Sequence, residues 1–323
     1  MTAAIPSPVG FIGLGNMGWP MARHLIRAGV ALRAFDAATA RLDAFCREVG
    51  GTAAAHPTEI ARACHVVITM LPDGQVVRDV LLGTEGEPGL ATMVRPGAVV
   101  VDMSSSDPCV YPEIRNALQE RGADLLDAPV SGAVRGAEEA TLTIMVGGEA
   151  ALVERVRPLL EIMGRRIFHT GLLGSGQAMK ALNNLLSAGC FVLSLEVLLI
   201  GQRFGLDPQL MTQILNVSTG RNNSTERKIL PHVLSRRFDS GFALGLMAKD
   251  LTTALGLAEA TATATMLSGS VLDVVRQACD QLGGTADHTE IARFLERMVG
   301  EELRHPTNAT NVASAPRAAR KSE

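Results

Sequence analysis

Aromatic side chains are scarce in this chain: nine Phe, one Trp and one Tyr make up 3% of 323 residues. No basic stripe with interleaved aromatics occurs, so the stacking platforms that grip nucleic acid are missing. Charge of one sign is not in excess either: 30 Lys and Arg nearly balance 33 Asp and Glu, for a net value of −3. That balance argues against nucleic acid or an anionic membrane as the main partner. The five cysteines (Cys46, Cys64, Cys109, Cys190, Cys279) are scattered, with no Cys-x-x-Cys pair and no His/Cys cluster at ligand spacing. No metal site is expected, and the thiols read as reduced. Met1 to Pro8 lacks the charged and apolar regions of a signal peptide. Leu185 to Gly201 is apolar, but Glu196 and its short length point to a buried core helix and not a membrane span. A soluble, cytoplasmic protein is expected.

What the chain does have is core material. Hydrophobic residues reach 47% against 20% charged, at a length that suits two domains better than one. From Val9 to about residue 170, short β-rich apolar runs alternate with helical patterns. Strands are expected at Val9-Leu14, Ala31-Asp36, His65-Leu71, Ala98-Met103, Ala123-Asp127, Leu142-Val146 and Arg166-His169. Helices are expected at 17-28, 38-49, 57-63, 74-82, 108-121 and 150-163. Such alternation predicts an α/β, Rossmann-type doubly wound and mostly parallel sheet over residues 1-173. Strand signals stop at Gly174-Ser175-Gly176, and helices follow at about 176-204, 208-216, 224-230, 246-264, 267-282 and 288-300. An all-α domain is therefore expected over 174-305. The Thr/Asn/Ala/Ser/Arg-rich stretch 306-323 reads as a disordered tail.

The segment Gly13-Leu14-Gly15-Asn16-Met17-Gly18 places Gly-x-Gly-x-x-Gly between the first strand and the first helix. Gly13 permits a tight turn, Gly15 lets backbone approach a pyrophosphate, and Gly18 lets helix pack on strand. Asp36 ends the second strand at the distance the fingerprint requires. Its carboxylate would accept hydrogen bonds from ribose hydroxyls and repel a 2′-phosphate, which favours NAD over NADP. Arg33 and Arg41 lie close in sequence and could soften that preference.

Further along, Asp127-Ala128-Pro129-Val130-Ser131-Gly132-Ala133 follows another strand, and Ser131 and Gly132 offer a hydroxyl and N–H groups to a small anion. In the helix after the Gly-Ser-Gly break, Lys180, Asn183 and Asn184 fall at i, i+3 and i+4 on one face. A lysine in apolar surroundings beside two amides suits general acid/base work. A snorkelling surface lysine has the same local sequence.

Taken together and in this order, these stretches resemble the β-hydroxyacid dehydrogenase family, of 3-hydroxyisobutyrate dehydrogenase type. The resemblance rests on Gly13 to Gly18 with Met21-Ala22, Met70-Leu71-Pro72, Asp102-Met103-Ser104-Ser105, Asp127 to Gly132, Gly174 to Asn184, and Lys249-Asp250. It implies an NAD-dependent enzyme in which Lys180 takes the proton of a 3-hydroxy acid. Ser131, Gly132 and Ala133 would receive the substrate carboxylate, and Asn183 and Asn184 would hold the substrate. Leu71, Pro72 and Ser105 would border the cofactor with the Gly13–Gly18 loop, and Lys249 would reach it from the helical domain. Asp250 would sit behind these groups, or simply open a helix. A homodimer or homotetramer joined through the helical domain is implied too.

Several positions depart from the family pattern. Ala133 stands where many members have a second glycine, which restricts the loop. Asn183 replaces the histidine of 6-phosphogluconate dehydrogenase, so a sugar phosphate is not expected. Arg221-Asn222-Asn223 replaces an aromatic-bearing stretch and admits two readings: recognition of a more polar substrate of serine, glycerate or threonate type, or a polar loop capping a helix through Ser224. Three functions stay open: a 3-hydroxy acid dehydrogenase, a semialdehyde reductase of tartronate or succinic type using the same residues, and a non-catalytic cofactor-binding module.

Overall fold

The computed structural model describes residues 7–304, so the expected tail falls outside the described residues. By its own contacts the chain divides into two compact units between Ala181 and Leu182.

The first unit is built on β1 (Val9–Ile12), β2 (Leu32–Phe35), β3 (Thr52–Ala53), β4 (Val66–Thr69), β5 (Gly83–Thr84), β6 (Glu87–Pro88), β7 (Val99–Asp102), β8 (Asp124–Asp127), β9 (Val130–Ser131), β10 (Leu142–Gly147) and β11 (Gly164–Gly171). The intervening helices are α1 (Gly18–Arg27), α2 (Thr39–Glu48), α3 (Pro57–Ala63), α4 (Gly74–Leu82), α5 (Tyr111–Gln119), α6 (Ala133–Glu138) and α7 (Ala150–Met163). The main sheet runs β11-β10-β8-β7-β4-β1-β2-β3, with β9 beside β10. From β3 to β8 every pairing is parallel. β1, β4 and β7 are buried at every position, which is why they read as largely apolar runs without alternation.

Register carries the functional consequence. Ile12 pairs with Phe35 and Thr69, Thr69 with Asp102, and Asp102 with Asp127. The carboxyl ends of five strands thus align on one edge, the edge where parallel α/β sheets place their ligands. Beyond β8 the sheet changes: β10 meets β8 antiparallel at Gly147 and Asp127, then pairs with β11 in parallel. The elements absent from the sequence reading are short ones, namely β3, the β5–β6 hairpin, the 3₁₀ turn Leu90–Met93, β9 and α6. The expected helix over 108-121 opens as a 3₁₀ turn, Pro108–Val110, before α5.

The second unit is helical. α8 (Ser175–Phe204) enters it, followed by α9 (Pro208–Asn216), a π-helical segment Thr225–Leu234, α10 (Leu244–Ala260), α11 (Ser268–Leu282) and α12 (Ile291–Val299). Asp207 caps α9 by accepting the Gln209 N–H at 3.1 Å, with Pro208 at the first position. The segment expected over 224-230 runs on to Leu234 with π geometry. Pro231 inside it has no N–H to donate to a regular ladder. The core gathers Phe191, Leu195 and Leu198 of α8 with Ile229, Val233, Leu251, Val275 and Phe294. α8 is long and apolar enough to cross a bilayer, yet 44% of its most apolar window is buried in protein. The helix meets that test because one of its faces supplies this core.

Candidate active site

At the carboxyl end of β1 the glycine motif folds into a turn whose demands can be separated. Gly13 has φ +97°, and a Cβ there would lie 2.3 Å from the Met70 carbonyl oxygen. A Cβ on Gly18 would lie 1.9 Å from the Gly13 carbonyl. Both positions are closed to side chains by the protein itself. At Gly15 an added Cβ meets no protein atom within 4 Å, so what glycine keeps open there is room for something else. Met17 then caps α1 without a side-chain hydrogen bond, while the Trp19 N–H donates to the Gly15 carbonyl at 3.0 Å, so the helix begins directly at the turn, an arrangement suited to a phosphate.

Asp36 is buried, and both its oxygens are engaged. Oδ2 accepts the Leu14 N–H at 2.7 Å, Oδ1 accepts the Ala38 N–H at 2.8 Å, and Arg41 approaches to 3.4 Å. The carboxylate thus also ties the glycine turn to the end of β2, a structural task the sequence did not reveal. A cavity of about 380 Å³ opens beside it, lined by Leu14, Gly15, Asn16, Trp19, Arg23 and Arg41 among others. Arg23 Nε is buried there with no hydrogen-bond partner in the described residues. Small residues at the turn, two guanidiniums and a carboxylate at the strand end fit a dinucleotide.

On the next loops Leu71 donates its N–H to Ser104 Oγ at 2.9 Å, which joins the Leu71-Pro72 turn after β4 to the Ser104-Ser105 turn after β7. Ser105 is half-buried and Pro72 exposed. Ser131 closes β9 opposite Thr143 of β10. Gly132 follows with φ +139°, and Ala133 with φ +54°. The alanine therefore occupies the left-handed region that glycine adopts freely.

Lys180 donates from Nζ to the Val130 carbonyl at 2.8 Å and is half-buried. The strand residue that receives the ammonium is the immediate neighbour of Ser131, so the structure brings Lys180 to the anion loop. Within the helical unit Asn184 donates from Nδ2 to Asp250 Oδ2 at 2.6 Å, and Lys249 lies 3.4 Å from Asp250 Oδ1. Asp250 is buried in the middle of α10, which corrects the helix-start alternative. Asn183 is exposed and donates to Asn184 Oδ1 at 3.1 Å. In the individual loop, Asn222 does the capping: its Oδ1 accepts the Ser224 and Thr225 N–H groups at 2.9 and 3.2 Å. Among the described residues Ser224 Oγ has no hydrogen-bond partner, so the cap expected at Ser224 belongs to Asn222. Asn223 is exposed, and Arg221 lies 3.7 Å from Glu226.

Behind these groups lies a buried polar network that sequence reading missed. Asp102 accepts from Thr69 Oγ1, the Ser104 N–H, Ser106 Oγ and Tyr111 Oη, all between 2.8 and 3.0 Å. Asp127 accepts the N–H groups of Gly174 and Gln177 at 2.7 and 2.8 Å, placing a carboxylate at the start of α8. Gln177 donates from Nε2 to the Ser104 carbonyl and Tyr111 Oη, and accepts the Ser106 N–H. A Cβ on Gly176 would lie 2.3 Å from the Met145 carbonyl, so glycine is what lets α8 start so close to the sheet. One turn later comes Lys180. Burial raises Asp127 to about 6 against the pull of its two N–H donors. Burial and the Asp102 charge push Tyr111 well above the usual phenol range and keep it a donor.

A family model described as the NAD binding domain of 6-phosphogluconate dehydrogenase matches residues 8–171. A second, described as NAD-binding of NADP-dependent 3-hydroxyisobutyrate dehydrogenase, matches residues 174–295. The chain is 41% identical to a 2-(hydroxymethyl)glutarate dehydrogenase of Eubacterium barkeri over 76% of its length and 81% of that protein. It is 36% identical to an NAD-dependent L-serine dehydrogenase of Pseudomonas aeruginosa over 91% of its length and 99% of that protein. Its fold matches a Mycobacterium tuberculosis 3-hydroxyisobutyrate dehydrogenase structure with L-serine. The TM-score is 0.81 at 30% identity, covering 90% of this chain and 99% of the other.

Proposed function

The chain belongs to the β-hydroxyacid dehydrogenase family of NAD-dependent enzymes, and we propose that it oxidises the hydroxymethyl group of a small 3-hydroxy acid with Lys180 as general base. The observation that carries this reading is the Lys180 ammonium seated on the Val130 carbonyl, beside Ser131 and Gly132. Ser131 Oγ and the loop N–H groups receive the carboxylate, which sets the hydroxyl-bearing carbon near Lys180. The amine takes the hydroxyl proton and, in the opposite direction, returns it. Asn184, held by Asp250, hydrogen-bonds the substrate, and Asn183 steadies Asn184. When bound, NAD supplies the hydride acceptor. The glycine loop and Asp36 would hold its pyrophosphate and ribose, Leu71, Pro72 and Ser105 would border it, and Lys249 would add a cation.

Substrate class follows from what the named relatives share. 2-(Hydroxymethyl)glutarate, L-serine and 3-hydroxyisobutyrate all carry a hydroxymethyl group on the carbon next to a carboxylate. We take that unit as the substrate core. Reduction of the corresponding semialdehyde uses the same residues in reverse. The test is Lys180→Ala, with NAD binding followed by fluorescence and turnover by NADH formation. Binding is expected to persist while kcat/KM falls about 10²–10⁴-fold. Wild-type oxidation should quicken towards alkaline pH as the amine loses its proton. Unchanged turnover in the variant would overturn the assignment of Lys180 as the base.

The exposed face of α8 favours self-association. Leu186, Leu193, Ile200 and Phe204 are 71%, 60%, 69% and 80% exposed at near-heptad spacing. α9 adds Leu210 and Ile214, each about half exposed. An apolar strip of that length fits a second copy of the chain, giving a homodimer or homotetramer. Light scattering should report the oligomer, and Leu186→Glu with Leu193→Glu should reduce it to monomer. A wild-type monomer at micromolar concentration would refute it. All five cysteines are free thiols, which supports a reducing, cytoplasmic location.

A further inference from the structure

The helical unit holds a cation that the reaction above does not use. Lys228 lies in the π-helical segment Thr225–Leu234, a geometry found often at functional sites. Its Nζ is 3.2 Å from Ser187 Oγ and 5.3 Å from the centre of the Phe191 ring. Among the described residues no carboxylate comes within ion-pair distance of it. The nearest acid in charge terms, Asp287, is occupied elsewhere, accepting from the Gly241 and Thr289 N–H groups and from Ser240 Oγ. Burial pushes the Lys228 ammonium down to about 8. Next to it, the His288 ring sits 5.5 Å from Phe191, is 3% exposed, and has an Nε2 with no hydrogen-bond partner among the described residues. Burial and the Lys228 charge hold that imidazole neutral, near 4. A half-buried cation with no carboxylate at ion-pair distance among the described residues is a site suited to a negatively charged, hydrogen-bonding ligand.

Its position on α8 says which ligand. Lys180, Asn184, Ser187 and Phe191 follow at i, i+4, i+7 and i+11 and share one face of the helix. Ser187 therefore lies one turn beyond Asn184, about 4.5 Å further along the axis. A group bonded to Lys228 and Ser187 belongs to the far end of the same molecule that Asn184 holds. Resting on the 3-hydroxy acid reading, we propose that Lys228, with Ser187, binds a second carboxylate of the substrate, so that the preferred substrate is a dicarboxylic 3-hydroxy acid. The lysine stem borders the methylenes between the two carboxylates, and Phe191, buried in the core behind it, seats the ammonium against its ring. No covalent step is involved; Lys228 selects by charge and reach.

Two measurements test this, and they fail separately. In the first, glutarate and butyrate, which cannot react, are titrated calorimetrically into the NADH-loaded enzyme. Glutarate is expected to bind at least tenfold more tightly than butyrate, and Lys228→Met to abolish the difference while Lys228→Arg restores part of it. Equal binding of the two acids by the wild type, or an advantage that survives in Lys228→Met, overturns the proposal whether or not any hydroxy acid turns over. In the second, steady-state rates with 2-(hydroxymethyl)glutarate and 3-hydroxyisobutyrate are compared. Lys228→Met should lose about 30-fold in kcat/KM for the dicarboxylate, through KM, and at least tenfold less for the monocarboxylate. Equal losses on both, or a loss confined to kcat, would make Lys228 a structural residue. Absence of turnover with every hydroxy acid, with the calorimetric difference intact, would instead sink the reaction proposed above and leave the anion site standing.

Discussion

Both units bury charge, but they do so in opposite ways. In the first, Asp102 and Asp127 are fully buried, and their oxygens accept six hydrogen bonds from the surrounding loops and from the start of α8. In the second, Lys228 has one long hydrogen bond and a ring face, and His288 keeps an unsatisfied nitrogen. A buried polar group whose bonds are all made inside the protein holds the fold. One whose bonds are left open costs stability and persists where a ligand completes it. The contrast separates scaffold from site without reference to any relative.

Breaking the satisfied side should have the largest effect. Asp102→Ala strands Tyr111 Oη, Thr69 Oγ1 and Ser106 Oγ at once, and is expected to cost about 3–5 kcal/mol in denaturant unfolding. A cost below 1 kcal/mol would mean the network is ornamental. The unsatisfied side should respond with the opposite sign. Lys228→Met removes a desolvated cation and is expected to raise stability by about 1–2 kcal/mol at pH 7, after allowing for the lost Ser187 and ring contacts. The gain should shrink with rising pH. Between about 8 and 10.5 the folded wild-type lysine is already neutral while the unfolded one still binds its proton, so wild-type stability climbs through that window. Destabilisation of Lys228→Met by more than 1 kcal/mol would place the lysine with Asp102 as scaffold.

The same distinction explains how much the sequence disclosed. The strands and helices that set the fold were legible because apolar runs and 3.6-residue periods are local, and β1, β4 and β7 are long enough to show them. Two-residue strands such as β3 and β9 carry no period. The glycine turn was legible because its steric demands lie within one loop. The network was not, since Gln177 reaches Ser104 and Ser106 from more than seventy residues away. Two signals were there to use: Asp102 and Asp127 each end an apolar strand, and the chain's single tyrosine, in a sequence poor in aromatics, is Tyr111. Lys228 offered none, because its meaning lies in what is absent around it.

The smallest effect concerns strain within the anion loop, where the fold bends the backbone to serve the site. Ala133 holds φ +54°, a conformation that costs a residue with a Cβ about 1–2 kcal/mol. Glycine would remove that cost but add about 0.5–1 kcal/mol of chain entropy to the unfolded state. The two nearly offset, so Ala133→Gly should raise stability by about 0.5 kcal/mol in denaturant unfolding. Gly132, at φ +139°, already supplies the sharp part of the turn, so the loop does not depend on position 133 to form. If the Cβ serves to hold the Ser131 and Gly132 N–H groups in place for a carboxylate, the more stable variant should show a higher KM. A variant both less stable and unchanged in KM would mean that Ala133 is strained for neither purpose, and that the left-handed residue is imposed by the entry into α6.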